Sequence, residues 1–180
     1  MTNREIVSAF FTAYGQHQPA EMCRWLHPDV EFTDLAFENL TGERLRSMWH
    51  WFCVPFGARK KAINVPEFQI TGEDGDRVEA RYRVCYELED GRYRVDYWIA
   101  SSFALQNNLI VRQVDRITIS RLQFAWMTKG PLGVFGVLIG KFDRGLKEKM
   151  VAGLDTFLVP AQVTQSVNAG RCIRNTFWRF

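Results

Sequence analysis

The sequence has few of the residues that build metal or disulfide sites. Its four cysteines share no Cys-x-x-Cys spacing, and its three histidines are dispersed along the chain. Structural metal sites draw their ligands from closely spaced cysteines and histidines. We therefore expect no metal site, and we expect reduced thiols, as in a cytoplasmic protein. The first residues, MTNREIVSAFF, are typical of a helix and not of a signal peptide.

Other signatures are missing as well. The sequence contains no glycine-rich phosphate loop and no G-x-S-x-G motif, so nothing in it predicts a cofactor or a serine nucleophile. The net charge is only +3, and the single dense basic run, Arg59-Lys60-Lys61, is typical of a solvated loop, so we expect no nucleic-acid partner. The apolar run 130–140 is shorter than the roughly 20 residues that span a bilayer, so we expect no membrane span.

What the sequence does have is a large apolar and aromatic fraction. Hydrophobic residues make up 47% and aromatic residues 14% of its 180 residues. A chain of this length buries a real core as one domain. The aromatic content favours a large core or an internal pocket.

The strongest pattern is a pair of long alternating strands, near 92–105 and 109–119, joined at 106–108. Because successive side chains of a strand point to opposite sides, alternation separates an apolar face from a mixed one. Asp115 falls on the apolar face together with Ile117. A buried acid is costly unless it is paired, protonated or lining a cavity.

The remaining pattern predicts an α+β chain. A predicted strand over Val30–Phe37 places Asp34 beside Phe32 on a second apolar face, and His27-Pro28-Asp29 is expected to end the helix that precedes this strand. A helix from Thr41-Gly42 carries an apolar stripe that includes Trp49. The other predicted elements are helices at 3–14, from 19 to about 26, at 121–129 and at 144–158, and strands near 65–72 and 77–88.

Several of these residues resemble the nuclear-transport-factor-2-like superfamily. The similar residues are His27–Asp34, Leu40-Thr41-Gly42, Met48-Trp49 and Val114-Asp115, and they are nearest to the SnoaL-like polyketide cyclase and ketosteroid-isomerase branch. The resemblance implies an α+β barrel, in which a cone-shaped, curved, mostly antiparallel sheet encloses a pocket plugged by N-terminal helices. It assigns residues 1–120 to this unit and residues 121–180 to a helical C-terminal extension and tail packed on the same domain.

The resemblance also implies a homodimer that forms through the outer face of the sheet. On that face Trp98, Ala100 and Ala104 are apolar where solvent would otherwise be.

Only some of the family's functional residues have a counterpart at the matching position of this sequence. Asp34 falls where the isomerase keeps its proton-shuttling aspartate, and Asp115 falls where cyclases keep an acid/base residue. The isomerase's oxyanion-hole tyrosine falls on Phe10, which has no hydroxyl, and its oxyanion-hole acid falls near Ser101. The Asp-Arg-Asp set of a limonene epoxide hydrolase would need partners on the strand at 77–88. These positions fall on Tyr82 and Val84, or, after a one-residue slip, on Arg81 and Arg83, still without the acid, so we do not expect epoxide hydrolysis.

We therefore predict Asp34 and Asp115 as catalytic residues. The predicted pocket residues are Phe10, Tyr14, Phe32, Met48, Trp49, Phe52, Tyr82, Tyr97, Ser101, Phe103 and Ile117. Two acids in an apolar pocket favour a cofactor-independent isomerase, cyclase or dehydratase acting by proton transfer on a small hydrophobic carbonyl compound. The alternatives are a non-catalytic binding protein for a small hydrophobic ligand and a dimeric interaction scaffold.

Overall fold

The computed structural model describes residues 1–55, 61–88 and 91–165, with side chains described as far as residue 158. The helices are α1 (Asn3–Gly15), α2 (Pro19–Arg24), α3 (Gly42–Phe52), α4 (Arg121–Leu138) and α5 (Phe142–Gln165). The strands are β1 (Leu26–Thr33), β2 (Leu40–Thr41), β3 (Phe68–Asp74), β4 (Arg77–Leu88), β5 (Tyr93–Gln106) and β6 (Leu109–Ile117).

The strands form one curved sheet in the order β2-β1-β6-β5-β4-β3. Four of its strand pairs are antiparallel, and β1 pairs with β6 in parallel. The predicted α+β fold with a curved, mostly antiparallel sheet is therefore confirmed. The sheet does not close on itself, because β2 and β3 remain its two edges.

The turn between β5 and β6 sets the register of the site. Asn107 and Asn108 both adopt left-handed backbone angles, with φ of 51° and 64°. Two such residues make the tight hairpin turn that matches the natural twist of paired strands, and asparagine tolerates the conformation. Beyond a bulge near Leu105, the resulting register places Asp115 directly opposite Ser101.

The first helix and α3 pack on the concave face of the sheet. Thr2 starts α1 with a capping box, accepting a hydrogen bond from the amide of Glu5 and donating its own amide to the Glu5 carboxylate. Phe10 of α1 contacts Trp49 of α3 edge-to-face, with ring centroids 5.4 Å apart. These aromatic contacts fill the base of the sheet and form the predicted plug.

The last two helices form a hairpin, α4–α5, which covers the open side of the sheet. Phe124 of α4 packs edge-on against Tyr97 of β5, with ring centroids 5.4 Å apart, and the buried Leu154 joins α5 to the main core. Gly130 adopts a left-handed conformation, with φ of 60°, and bends α4 in its middle. Pro131 can follow because the bend starts a new helical turn, where a proline costs no hydrogen bond.

Several boundaries differ from the sequence prediction, and three of the differences affect the site or its cover. β1 begins at Leu26, so His27-Pro28-Asp29 lies inside it, at an irregular stretch where proline is tolerated. The same strand ends at Thr33, which leaves Asp34 just beyond it. The apolar run after Lys129 continues α4 to Leu138, and α5 begins at Phe142.

Several predictions fall outside the described residues. These are most of the basic run, at Arg59-Lys60, and the last part of the C-terminal tail, including Cys172. Within the described part of the chain, Cys23 and Cys85 are free thiols. No helix of that part is long and apolar enough to cross a bilayer.

Candidate active site

A cavity of about 100 Å³ lies between the concave face of the sheet, α3 and the α4–α5 hairpin. Its walls are mostly aromatic and aliphatic. Its acidic residues are Asp34 and Asp115, which the sequence predicted as the catalytic pair. The predicted pocket residues that line it are Tyr14, Phe32, Trp49, Phe52, Tyr82, Tyr97 and Ile117. The fold therefore brings two carboxyl groups from distant parts of the chain to one apolar space.

Asp115 lies deep in this site and has three hydrogen-bond donors. The Tyr82 hydroxyl donates to its Oδ2 over 2.5 Å, and Ser101 and Gln113 donate to its Oδ1 over 2.5 and 3.0 Å. Burial raises the pKa of the Asp115 carboxyl above its usual range, while the three donors oppose that rise by stabilising the charged form. Short O–H···O contacts of this kind are typical of a carboxylate acceptor. Asp115 is thus held by neutral donors and not by an arginine.

Asp34 is placed differently, in the turn that follows β1. Its Oδ1 accepts hydrogen bonds from the amides of Ala36 and Phe37 over 2.8 and 2.6 Å. Within the described residues, no donor reaches its Oδ2. Burial raises the pKa of the Asp34 carboxyl to about 6, the nearby charge of Asp115 adds to that rise, and the two backbone amides and Lys147 counter it. Asp34 therefore gains and loses its proton close to neutral pH.

Tyr97 lies near both acids. Burial raises the pKa of the Tyr97 hydroxyl well above its ordinary value, with contributions from Tyr86 and then from Asp34, Tyr14 and Asp115. The group consequently stays protonated at any physiological pH and can donate a hydrogen bond. Its hydroxyl has no hydrogen-bond acceptor in the part of the chain that the structure describes. A ligand oxygen in the cavity would supply one.

Trp49 presents a second unused donor. Its side chain is 1% exposed and lines the cavity, and its Nε1–H has no partner among the described residues. A buried donor without an acceptor costs free energy, and a polar ligand atom or a water molecule would recover it.

The rest of the predicted pocket set lies behind the cavity. Phe10, Met48 and Phe103 are fully packed in the core and do not line the cavity. Ser101 is also buried away from the open space, and it acts there as a donor to Asp115. Periodicity predicted that these four side chains point into the fold, and they are buried there. Which buried side chains reach the cavity depends on how the helices pack, which periodicity does not predict.

Several site residues were not predicted at all. Phe124, Leu146 and Met150 of the hairpin form the roof of the cavity. Gln113 is the third hydrogen-bond donor to Asp115. The sequence could have predicted it, because residues i and i+2 of a strand share a face. Lys147 forms an ion pair with Glu38 and lowers the pKa of nearby Asp34, a contact between distant segments that periodicity does not reveal.

The arginines of β4 lie on the other side of the sheet. Arg83 makes a bidentate ion pair with Asp96, with two N–O distances of 2.7 Å, and the Arg81 guanidinium lies 4.9 Å from the centroid of the Trp98 ring. Within the described residues, no arginine lines the cavity. An Asp-Arg-Asp set is therefore not assembled around Asp115 by this part of the chain.

Comparisons with known proteins identify the fold. The family model described as a SnoaL-like domain matches residues 7–113. A protein assigned as a polyketide cyclase from Xanthomonas campestris pv. campestris is 18% identical with a TM-score of 0.56, over 71% of this chain and 96% of that one. An LEH-like epoxide hydrolase from M. tuberculosis is 20% identical with a TM-score of 0.51, over 76% and 94%.

A third solved structure, an NTF2-like protein of unknown function from Burkholderia pseudomallei K96243, is 16% identical with a TM-score of 0.54, over 72% of this chain and 99% of that one. No curated protein matches the sequence at a significant level. At these identities the likeness concerns the fold, and one fold hosts many reactions.

Proposed function

Because the chain belongs to the SnoaL-like domain family, we propose that it is a cofactor-independent enzyme that transfers a proton next to the carbonyl group of a small hydrophobic compound. Isomerases, cyclases and dehydratases of this kind all depend on such a step. The observation that supports the proposal is the pair Asp34 and Asp115, which line one apolar cavity and have raised pKa values. In this proposal residues 1–120 supply both acids, and the described part of the 121–180 extension covers them.

Asp34 is the proton-transferring group in this proposal. Its Oδ1 is occupied by two backbone amides, so Oδ2 is the atom that faces a substrate hydrogen. A base with a pKa of about 6 is largely ionised at neutral pH and can still return the proton it takes. When Oδ2 removes the proton, the electron pair of the C–H bond moves towards the carbonyl oxygen and forms an enolate.

Tyr97 and Asp115 support that step in different ways. The Tyr97 hydroxyl donates to the developing oxyanion, and because its pKa is raised, it does so without losing its proton. Asp115 is the second acid of the pair, and its charge raises the pKa of Asp34 towards neutrality. Tyr82, Ser101 and Gln113 hold Asp115 in one position while it does so.

The cavity limits the size of the substrate. A cavity of about 100 Å³ is smaller than the roughly 150 Å³ that accommodates a benzene ring in an engineered protein core. A single-ring ketone therefore fits only with a small outward shift of the roof residues Phe124, Leu146 and Met150. Larger substrates would need the hairpin to move further.

Proton exchange on cyclohexanone tests the proposal without knowledge of the natural substrate. In D₂O, the protein should speed the loss of the ketone's α-C–H signals in proton NMR well above the rate given by an equal concentration of acetate. The rate should rise with pH through about 6 as Asp34 ionises, and then level off. The Asp34→Asn variant keeps an oxygen for the two backbone amides but cannot accept the proton, so its rate should fall to that of acetate.

A matched control is Asp29→Asn, which changes an exposed aspartate of β1 that does not line the cavity. It should exchange cyclohexanone like the wild type. Equal rates for wild type and Asp34→Asn would refute the role of Asp34.

The second candidate is a binding protein without chemistry. The observation that favours it is Phe10, which is buried in the core and brings no hydroxyl to the cavity. Saturation-transfer NMR distinguishes the two functions, because a binder would transfer magnetisation to cyclohexanone without exchanging its protons.

We also propose a homodimer and a cytoplasmic location. Support for the dimer comes from Ala100 and Trp98, which remain at least partly exposed on the outer face of β5. The free thiols of Cys23 and Cys85 are consistent with a reducing compartment.

A further inference from the structure

The α4–α5 hairpin exposes a group of large apolar side chains at its bend. Leu132, Phe135 and Leu138 are 78%, 60% and 73% exposed, and Ile139 follows them. Their spacing places them along one side of the second half of α4, and we call these four residues the apolar tip. Soluble proteins rarely leave such side chains together in water unless the surface binds something.

Basic residues flank this tip in the sequence. Between Arg121 and Lys149 the sequence has six basic and two acidic residues, a net charge of +4, whereas the whole chain has a net charge of +3. The residues 130–140 themselves contain no charge. Lys141, Arg144 and Lys149 are exposed, and none of them has an acidic partner within the described residues. The hairpin is therefore a cationic element with an apolar end.

We propose that the hairpin binds the surface of an anionic lipid bilayer. The apolar tip enters the boundary between headgroups and acyl chains, and Lys141, Arg144 and Lys149 bind lipid phosphates. Short helices with exposed apolar residues and nearby cations bind membranes in this way without spanning them.

The positive charge of the hairpin favours a lipid surface over a second copy of the chain as the binding partner. Two copies meeting tip to tip would bring together two 121–149 segments, each with a net charge of +4 in the sequence, and like charges around an apolar contact oppose association. An anionic lipid surface complements the same charges. The hairpin also lies beyond residue 113, where the match to the family model ends.

This inference is independent of the proposed reaction. The residues that the hairpin contributes to the cavity are Phe124, Leu146 and Met150, and none of the apolar tip lines it. A variant at the tip can therefore fail to bind lipid and still exchange cyclohexanone protons.

Vesicle co-sedimentation of the full chain tests the inference. The protein should bind vesicles of equal parts phosphatidylcholine and phosphatidylglycerol, and it should bind phosphatidylcholine vesicles far less. Since burying one large apolar side chain changes a partition coefficient by about tenfold or more, Phe135→Asp should lower binding by at least about tenfold. Lys141→Gln, which removes one positive charge, should lower it by about fivefold, and added salt should weaken wild-type binding.

Val151→Asp is the matched control, because Val151 is an exposed apolar residue of α5 outside the tip. It should bind the mixed vesicles like the wild type, and circular dichroism should show all variants folded. No binding to the mixed vesicles would overturn the inference, as would equal binding by Phe135→Asp. Sedimentation of the wild type as an oligomer that Phe135→Asp dissociates would also overturn it, because the tip would then be a contact between copies.

Discussion

Replacing Asp34 by Asn should stabilise the protein at neutral pH while it removes activity. The substitution keeps the hydrogen bonds to the amides of Ala36 and Phe37, because the amide oxygen of Asn replaces Oδ1. It removes only the ability to ionise. A difference in stability between the two proteins therefore reports the cost of a charged group at this position.

The magnitude and sign follow from the pKa. The Asp34 pKa rises from 3.8 to about 6 on folding, and each unit corresponds to 1.36 kcal/mol, so the largest effect is about 3 kcal/mol. Because the folded protein binds the proton more tightly, its stability falls as pH rises from about 4 to about 6, and the loss is complete above that range. Asp34→Asn should be more stable than the wild type by at most about 3 kcal/mol near pH 8, and the difference should disappear near pH 4.

Urea unfolding followed by tryptophan fluorescence measures this difference at a series of pH values. The chain has six tryptophans, so the signal is strong. Asp29→Asn should show no such pH-dependent gain. A stability difference between wild type and Asp34→Asn that is the same at pH 4 and pH 8 would refute the reasoning, because it would mean that folding does not change the Asp34 pKa.

Two further predictions concern packing and hydrogen bonding. Tyr82→Phe removes the donor to Oδ2 of Asp115 and should cost about 1–3 kcal/mol in urea unfolding. Because the lost hydrogen bond favours the charged carboxylate, the cost should fall once the pH is low enough to protonate Asp115, and a cost that does not change with pH would contradict this. Gly153→Ala would bring a methyl group to 2.9 Å from the Trp51 ring and should destabilise the protein by about 1–3 kcal/mol. Gly145→Ala in the same helix meets nothing within 4 Å and should stabilise the protein by up to about 1 kcal/mol. Thermal unfolding that ranks the two variants in the opposite order would show that α5 does not pack on α3 as described.

Local patterns in the sequence were sufficient for most of the fold. Alternation along β5 and β6 and the turn at Asn107-Asn108 predicted the hairpin that positions Asp115, because side-chain direction in a strand depends on spacing alone. The helices predicted at 3–14 and from residue 19 rest on similarly local signals at their starts, a capping residue and a proline. The structure confirms these elements and moves their boundaries by a few residues.

The prediction of the site was less complete. Asp34 and Asp115 were predicted from their apolar neighbours, but Asp34 lies after its strand, where its carboxylate accepts hydrogen bonds from the next turn. The roof residues Phe124 and Met150 could not be predicted, because their place depends on how α4 and α5 pack across the sheet. The continuation of α4 depends on the left-handed bend at Gly130, a conformation that the sequence permits but does not require.

The parallel pair of β1 and β6 has a consequence for synthesis on the ribosome. β1 is the first strand made, and its parallel partner β6 is the last. Until β6 has left the ribosome, β1 has only the two-residue strand β2 to pair with, and nothing joins β1 to β5. Such late, long-range closure is slow and exposes apolar surface. The nascent chain should therefore depend on chaperones until β6 emerges, and a truncation before Leu109 should yield an aggregating fragment in place of a smaller folded domain.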